Sequence, residues 1–200
     1  MPSFISILDV LDRHAREKPN ALAFATLKDS LKPSASLTYR QLREDVTAIA
    51  ARLQTLAGRG ERVVLLYAHP FDFLVPFLGC LHAGLIAIPT PLPNAFTAKR
   101  VLARMQGIFR DARPSLVLTT SDELPDLEEA YRDIPGGYEL KWVATDQLPA
   151  SHTDLAPAAP EPDAVAYLQY TSGSTSAPKG VMITHGNIMH QADYMKRVWT

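Results

Sequence analysis

The chain has 200 residues, 46% hydrophobic and 20% charged, the proportions of an ordinary globular protein able to bury a sizeable core. Twenty basic residues against twenty-one acidic ones leave a net charge of −1, without the basic excess of a nucleic-acid binder, so no nucleic-acid partner is expected. The single cysteine, Cys80, excludes an internal disulfide framework and a cysteine-built zinc site.

The first residues, from Met1 to Asp9, have no basic lead and carry an early acid, so they do not read as a secretory signal and a cytoplasmic location is expected. Tyr39, Leu42, Val46, Ile49, Ala50, Leu53 and Leu56 recur at helical spacing. Thr38 and Gln41 match a capping box at the front of that helix, and Gly58 is placed to end it. Arg62 to Tyr67 is a short apolar, β-branched run that predicts a buried strand. Residues 71–84 predict a helix, and Ile86-Ala87-Ile88 the next strand. Phe73 to Pro89 is the one stretch apolar enough to suggest a membrane span. It falls short of the ~20 residues a span requires and is interrupted by Pro76, Gly79 and Gly84, so a buried helix running into a buried strand is expected instead. Cys80 sits inside it, and a buried, inert thiol is expected there.

A second amphipathic helix is predicted from Ala98 to Ala112, with Val101, Leu102, Met105, Ile108 and Phe109 on one side. Residues 115–119 predict a strand, 124–133 a short helix and 142–144 a further strand. Asp126, Glu128 and Glu129 read as the solvated face of that short helix. Strands alternating with helices argue for an α/β fold, a mostly parallel sheet layered with helices on both faces. The segment 149–163 carries four prolines and no periodicity, so it reads as a linker or surface loop. It separates an α/β subdomain at 1–148 from a unit at 164–200 holding a strand, a polar loop and the start of a helix.

The polar loop follows the strand 164–170 and runs Thr171-Ser172-Gly173-Ser174-Thr175-Ser176-Ala177-Pro178-Lys179-Gly180. Hydroxyls and backbone N–H groups are neutral donors that surround phosphate oxygens, Gly173 permits close backbone approach, and Lys179 adds a cation. Phosphate binding suits this composition. The loop is not a Walker A loop, G-x-x-x-x-G-K-[S/T], because Gly173 leads to Pro178-Lys179-Gly180, and no kinase-type G-x-G-x-x-G is present. His185 opens the next helical segment and is expected to be structural. His190, five residues on, does not share its face, and no serine stands in a nucleophile-elbow context. A helical stripe of Ile188, Met189, Ala192, Met195, Val198 and Trp199 reaches the last residue without a stop signal.

Tyr170 through Val181 resembles the phosphate-loop signature of the adenylate-forming superfamily. Leu37-Thr38-Tyr39-Arg40-Gln41-Leu42, the run Gly79 to Gly84 and the strand leading to Pro89 resemble that family in the same order. Leu168-Gln169, Gly79-Cys80-Leu81 and Leu118-Thr119-Thr120 are similar to the fatty acyl-AMP ligase branch, which resembles this chain in accepting residues other than glycine where Ser176 stands. The resemblance implies the first portion of the large N-terminal domain of such an enzyme. It also implies ATP as cofactor, a fatty acid as substrate and pyrophosphate as leaving group. The acyl group would pass to an acyl carrier protein, with CoA as the alternative acceptor. Thr171, Ser172, Ser174 and Thr175 would donate hydroxyls, Gly173 would give close approach and Lys179 would be the phosphate cation. No catalytic residue or metal ligand is assigned within the chain. The adenine-side motif with its Mg2+-binding glutamate, the ribose-binding aspartate and the C-terminal lysine are expected beyond residue 200, so the chain is expected to be incomplete and inactive alone. A non-catalytic phosphate-binding or docking module is the competing expectation, and it predicts an exposed apolar patch around Met189, Met195 and Trp199.

Overall fold

A computed structural model describes residues 4–27, 33–93, 98–132, 134, 140–148, 160–171 and 178–199. Eight strands and six α-helices are found among the described residues: α1 (Ile7–Glu17), β1 (Leu22–Leu27), β2 (Pro33–Thr38), α2 (Tyr39–Gln54), β3 (Arg62–Leu66), α3 (Pro70–Ala83), β4 (Ile86–Thr90), α4 (Ala98–Ala112), β5 (Leu116–Thr119), α5 (Leu124–Tyr131), β6 (Lys141–Ala144), β7 (Val165–Thr171), β8 (Lys179–Thr184) and α6 (His185–Trp199).

Six strands form one sheet in the order β6-β5-β3-β4-β7-β8. All neighbours are parallel except β7 and β8, so β8 is an antiparallel edge strand. The chain leaves β3 for β4 on one side and returns from β4 to β5 on the other. Right-handed crossovers then place α3 on one face and α4 and α5 on the opposite one. Alternation along β3 shows both faces covered. Val63 and Leu65 join the core beneath α1, α2 and α3, while Val64 and Leu66 join the core beneath α4 and α5. Near-continuous apolar strands are what a doubly covered parallel sheet requires.

Local signals explain most boundaries. Thr38 and Gln41 form the reciprocal capping box expected at the start of α2. That helix stops at Gln54, ahead of Gly58. The Thr55 hydroxyl and N–H both turn back onto the Arg52 carbonyl, tightening the last turn before the glycine is reached. Gly84 ends α3 in the left-handed region at φ 76°. Gly79 lets α3 lie close on α2, since a Cβ there would come within 2.5 Å of Cγ2 of Ile49. Cys80 beside it is fully buried, and burial pushes its thiol far up from the ordinary range, as an inert core residue demands. The apolar stretch 73–89 is thus most of α3 followed by the core strand β4, and among the described residues no helix is long and apolar enough to cross a membrane.

Two features were not expected from the sequence. α1 is nucleated by Ser6, whose hydroxyl accepts from the Asp9 N–H while the Asp9 carboxylate accepts from the Ser6 N–H. Among the described residues the strands β1 and β2 pair with each other alone, as an antiparallel two-stranded sheet.

Candidate functional site

β7 runs parallel to β4, so its last residue, Thr171, lies at the carboxyl edge of the parallel strands, where α/β sheets receive ligands. The chain returns as β8, and Thr171 is directly paired with Lys179. Opposite residues of an antiparallel pair project to the same face, ~5 Å apart. The Thr171 hydroxyl and the Lys179 ammonium therefore share one side of the hairpin end, and both residues are exposed. Ser172, Gly173, Ser174 and Thr175, the rest of the expected phosphate-binding set, lie outside the described residues, as do Ser176 and Ala177.

The base of this hairpin is held from the other face. Tyr170 is paired with Gly180, and a Cβ on Gly180 would come within 3.0 Å of the Tyr170 ring, so the ring lies over the glycine. Burial and the Asp111 carboxylate push the Tyr170 hydroxyl up from its usual range. That hydroxyl donates to Oδ2 of Asp111 at 2.5 Å, and the Arg104 guanidinium donates to the Tyr170 carbonyl at 2.6 Å. Pro178 rests on α4 at Gly107, where a Cβ would be 2.6 Å from its Cδ. Arg104, Gly107 and Asp111 recur at i, i+3 and i+7, one face of α4. Sequence reasoning missed these three; the signal available was a glycine in the interior of an otherwise strong amphipathic helix.

A cleft of about 390 Å³ opens at the same sheet edge between α2, α3 and the ends of β5 and β6. Asp45, Asp72 and Asp146 line it beside Thr120, Thr145, Ile49 and Phe71. Three carboxylates make it unsuited to a polyphosphate, which favours the hairpin as the anion site. Among the described residues no group of three His, Cys, Asp or Glu side chains is placed to hold a metal ion.

His185 is the first residue of α6 and is buried, in keeping with a structural role. Its backbone N–H donates to the Ala164 carbonyl, and its ring Nδ1 has no hydrogen-bond partner among the described residues. Burial lowers its pKa below the ordinary 6.5, with Asp9 pulling weakly the other way. His82 on α3 is lowered by burial and by Arg43, against Asp12. Both are held neutral in the fold, so the unfolded chain binds more protons once the pH falls below 6.5. Stability from these groups is full above that value and is lost as the pH drops toward their depressed folded values. The melting temperature is expected to be level above about pH 7 and to fall as the pH drops below about 6.5. His82→Gln or His185→Asn should flatten that fall, and an unaltered slope in both contradicts it. Asp45 and Glu123, whose carboxyls burial pushes upward, act with the opposite sign at lower pH.

α6 starts with Thr184 and Asn187 capping each other's N–H groups. Ile188 packs against the core, but Tyr194, Met195 and Val198 are exposed, as are Val181 and Met182 on β8. Of the patch expected there, Met195 is exposed, Met189 is half-buried and the Trp199 side chain lies outside the described residues.

Residues 11–200 match the family described as AMP-binding enzyme. The chain is 38% identical over 203 residues to the medium-chain-fatty-acid–acyl-carrier-protein ligase JamA of Moorena producens (strain JHB), covering 99% of this chain and 34% of that one. It is 34% identical over 192 residues to the long-chain-fatty-acid–AMP ligase FadD32 of Mycolicibacterium smegmatis, covering 94% of this chain and 30% of the relative. The crystal structure of the fatty acyl-adenylate ligase from L. pneumophila in complex with acyl adenylate and pyrophosphate is similar with a TM-score of 0.80 and 32% identity, covering 96% of this chain and 32% of that one. The chain thus spans about a third of the length of these relatives.

Proposed function

Because the chain belongs to the AMP-binding enzyme family, we propose that it is the ATP-phosphate-binding portion of a ligase that activates a fatty acid as acyl-AMP. The observation that carries this reading is the pairing of Thr171 with Lys179 at an exposed hairpin end on the carboxyl edge of the sheet. The substrate carboxylate attacks the α-phosphorus of ATP, the bond to the bridging oxygen breaks, and pyrophosphate departs with that oxygen. Negative charge grows on the leaving group, so donors already aimed at the β- and γ-phosphates lower the barrier. Thr171, Ser172, Ser174 and Thr175 supply hydroxyls, Gly173 lets the backbone approach, and Lys179 supplies the cation. Mg2+, carried in with ATP, would neutralise part of the phosphate charge, with ligands from residues beyond 200. The segment 149–163 would join the α/β unit 1–148 to this hairpin unit.

JamA, by its name, serves an acyl carrier protein, and that likeness supports the phosphopantetheine thiol of such a protein as the acyl acceptor here. Offering CoA and a carrier protein separately to a preformed acyl-adenylate discriminates the two acceptors. The proposed location is the cytoplasm, where ATP is available.

Calorimetric titration of the purified chain tests the reading. It is expected to bind tripolyphosphate and ATP but not adenosine, and to show no ATP–pyrophosphate exchange with any fatty acid. Absence of tripolyphosphate binding would sink the phosphate assignment, while clear exchange would refute the view that the chain is only a portion of the enzyme. The exposed apolar residues of β8 and α6 favour one other reading, a docking module; such a module keeps its partner when Lys179 is replaced.

A further inference from the structure

We propose that Arg104, Gly107 and Asp111 are positioning residues, a brace on α4 that sets the spacing and tilt of the hairpin from which the phosphate loop springs. The loop enters at Thr171 and leaves at Pro178, and both flanks are tied to this one helix face. On the entering strand the Arg104 guanidinium holds the Tyr170 carbonyl at 2.6 Å and Asp111 holds the Tyr170 hydroxyl at 2.5 Å. On the leaving strand Pro178 sits where the side chain of residue 107 would stand, 2.6 Å from the site of a Cβ. The two flanks are also keyed to each other, because the Tyr170 ring lies over Gly180.

α4 is itself anchored. Met105, Ile108 and Phe109 are buried in the core beneath it, and Arg62 at the start of β3 donates from Nε to the Ala112 carbonyl and from its terminal nitrogen to the Arg113 carbonyl. The first of these bonds satisfies the orphan carbonyl of the last helical residue. A rigid helix holding both flanks fixes where the chain stands at Thr171 and Pro178, and groups held in place bind a ligand at a smaller ordering cost. The alternation of the strands separates the tasks. Tyr170 points toward α4, while Thr171 and Lys179 project to the other face. The geometry is independent of what the loop binds; only its purpose rests on the phosphate reading above.

Amide hydrogen exchange and tripolyphosphate calorimetry on the 200-residue chain test the brace together. In Arg104→Ala, Gly107→Val and Asp111→Ala, the amides of residues 170, 171, 179 and 180 are expected to exchange about tenfold faster, with β3 and β5 amides unchanged. Tripolyphosphate affinity should fall about tenfold in the same variants. Arg104→Lys and Asp111→Asn keep a donor and an acceptor and should restore most of both losses, which a general packing defect would not allow. Tyr170→Phe removes only the hydroxyl and should make the Asp111→Ala effect vanish in the double variant, so the proposal stays testable if Gly107→Val fails to fold. Unchanged hairpin exchange, or acceleration shared equally with β3 and β5, overturns the brace, as does exchange that rises while affinity stays constant. If the parent chain and Lys179→Ala alike ignore tripolyphosphate, the phosphate reading fails, and exchange alone decides whether the brace exists.

Discussion

Replacing Lys179 by alanine is expected to lower the affinity of the chain for tripolyphosphate and ATP by about tenfold to a hundredfold, the cost of losing one charge-assisted contact to a phosphate. The side chain is exposed, on the same hairpin face as Thr171, and it belongs to the first residue of the strand that leaves the loop. Its removal therefore leaves no buried group unpaired and opens no cavity, so the melting temperature should stay within about 1–2 °C. An exposed cation is screened by salt, and the parent affinity should fall as ionic strength rises toward 0.5 M, whereas the variant should respond less. Lys141→Ala is the matched control. It removes the same charge from an exposed residue at the start of β6, the opposite edge of the parallel sheet, and should bind as the parent does. Calorimetry at two salt concentrations reads all three proteins. Equal losses in Lys179→Ala and Lys141→Ala would mean that only net charge is being sensed, and the hairpin would lose its claim to be the anion site. Lys179→Arg keeps the charge but swaps a point cation for a planar fork, and should retain part of the affinity.

How much of this was legible beforehand depended on whether the signal was local. α4 runs from Ala98 to Ala112 as its apolar spacing predicts, and α3 ends at Gly84 because only a residue free of a Cβ enters the left-handed region cheaply. The hydroxyl-and-lysine run was conspicuous because its residues are neighbours in the chain. α1 is harder to see: Ser6 and Asp9 spell a capping signature, but the helix they open is short and has only Leu8 and Leu11 buried. β1 and β2 were missed for a different reason. They pair with one another among the described residues; β1 is apolar but rich in alanine and poor in the β-branched residues by which a strand is recognised, and β2 is mostly small and polar. The hold of α4 on the hairpin was invisible because Arg104 and Tyr170 are 66 residues apart and Asp111 and Tyr170 are 59 apart. Gly107 was its only trace. A glycine inside a helix costs about 1 kcal/mol relative to alanine, and here the close seat of Pro178 explains it.

Phe109→Ala is expected to destabilise the chain by about 3–5 kcal/mol, the usual range for deleting a buried aromatic ring. Phe109 is 2% exposed, among the largest fully buried side chains of the fold, and its ring centroid lies 6.0 Å from that of Tyr131 on α5. Tyr131 in turn packs against Trp142 of β6, tilted by 55° with centroids 5.8 Å apart, so the ring belongs to an aromatic series joining α4, α5 and the sheet. Truncation removes apolar contact on both sides and leaves a void that backbone already locked in helices and parallel strands cannot collapse to fill. Urea unfolding should show a lower midpoint at an unchanged slope, with a melting temperature lower by roughly 10 °C for a domain of this size. Phe109→Leu keeps part of the volume and should cost distinctly less. Asp126→Ala, on the exposed face of α5, should fall within about 0.5 kcal/mol of the parent. Because Phe109 seats the helix that carries Arg104, Gly107 and Asp111, its loss should also speed amide exchange in the hairpin. That gives a second and independent reading of the same core, and a Phe109→Ala chain no less stable than Asp126→Ala would show that α4 is not packed as described.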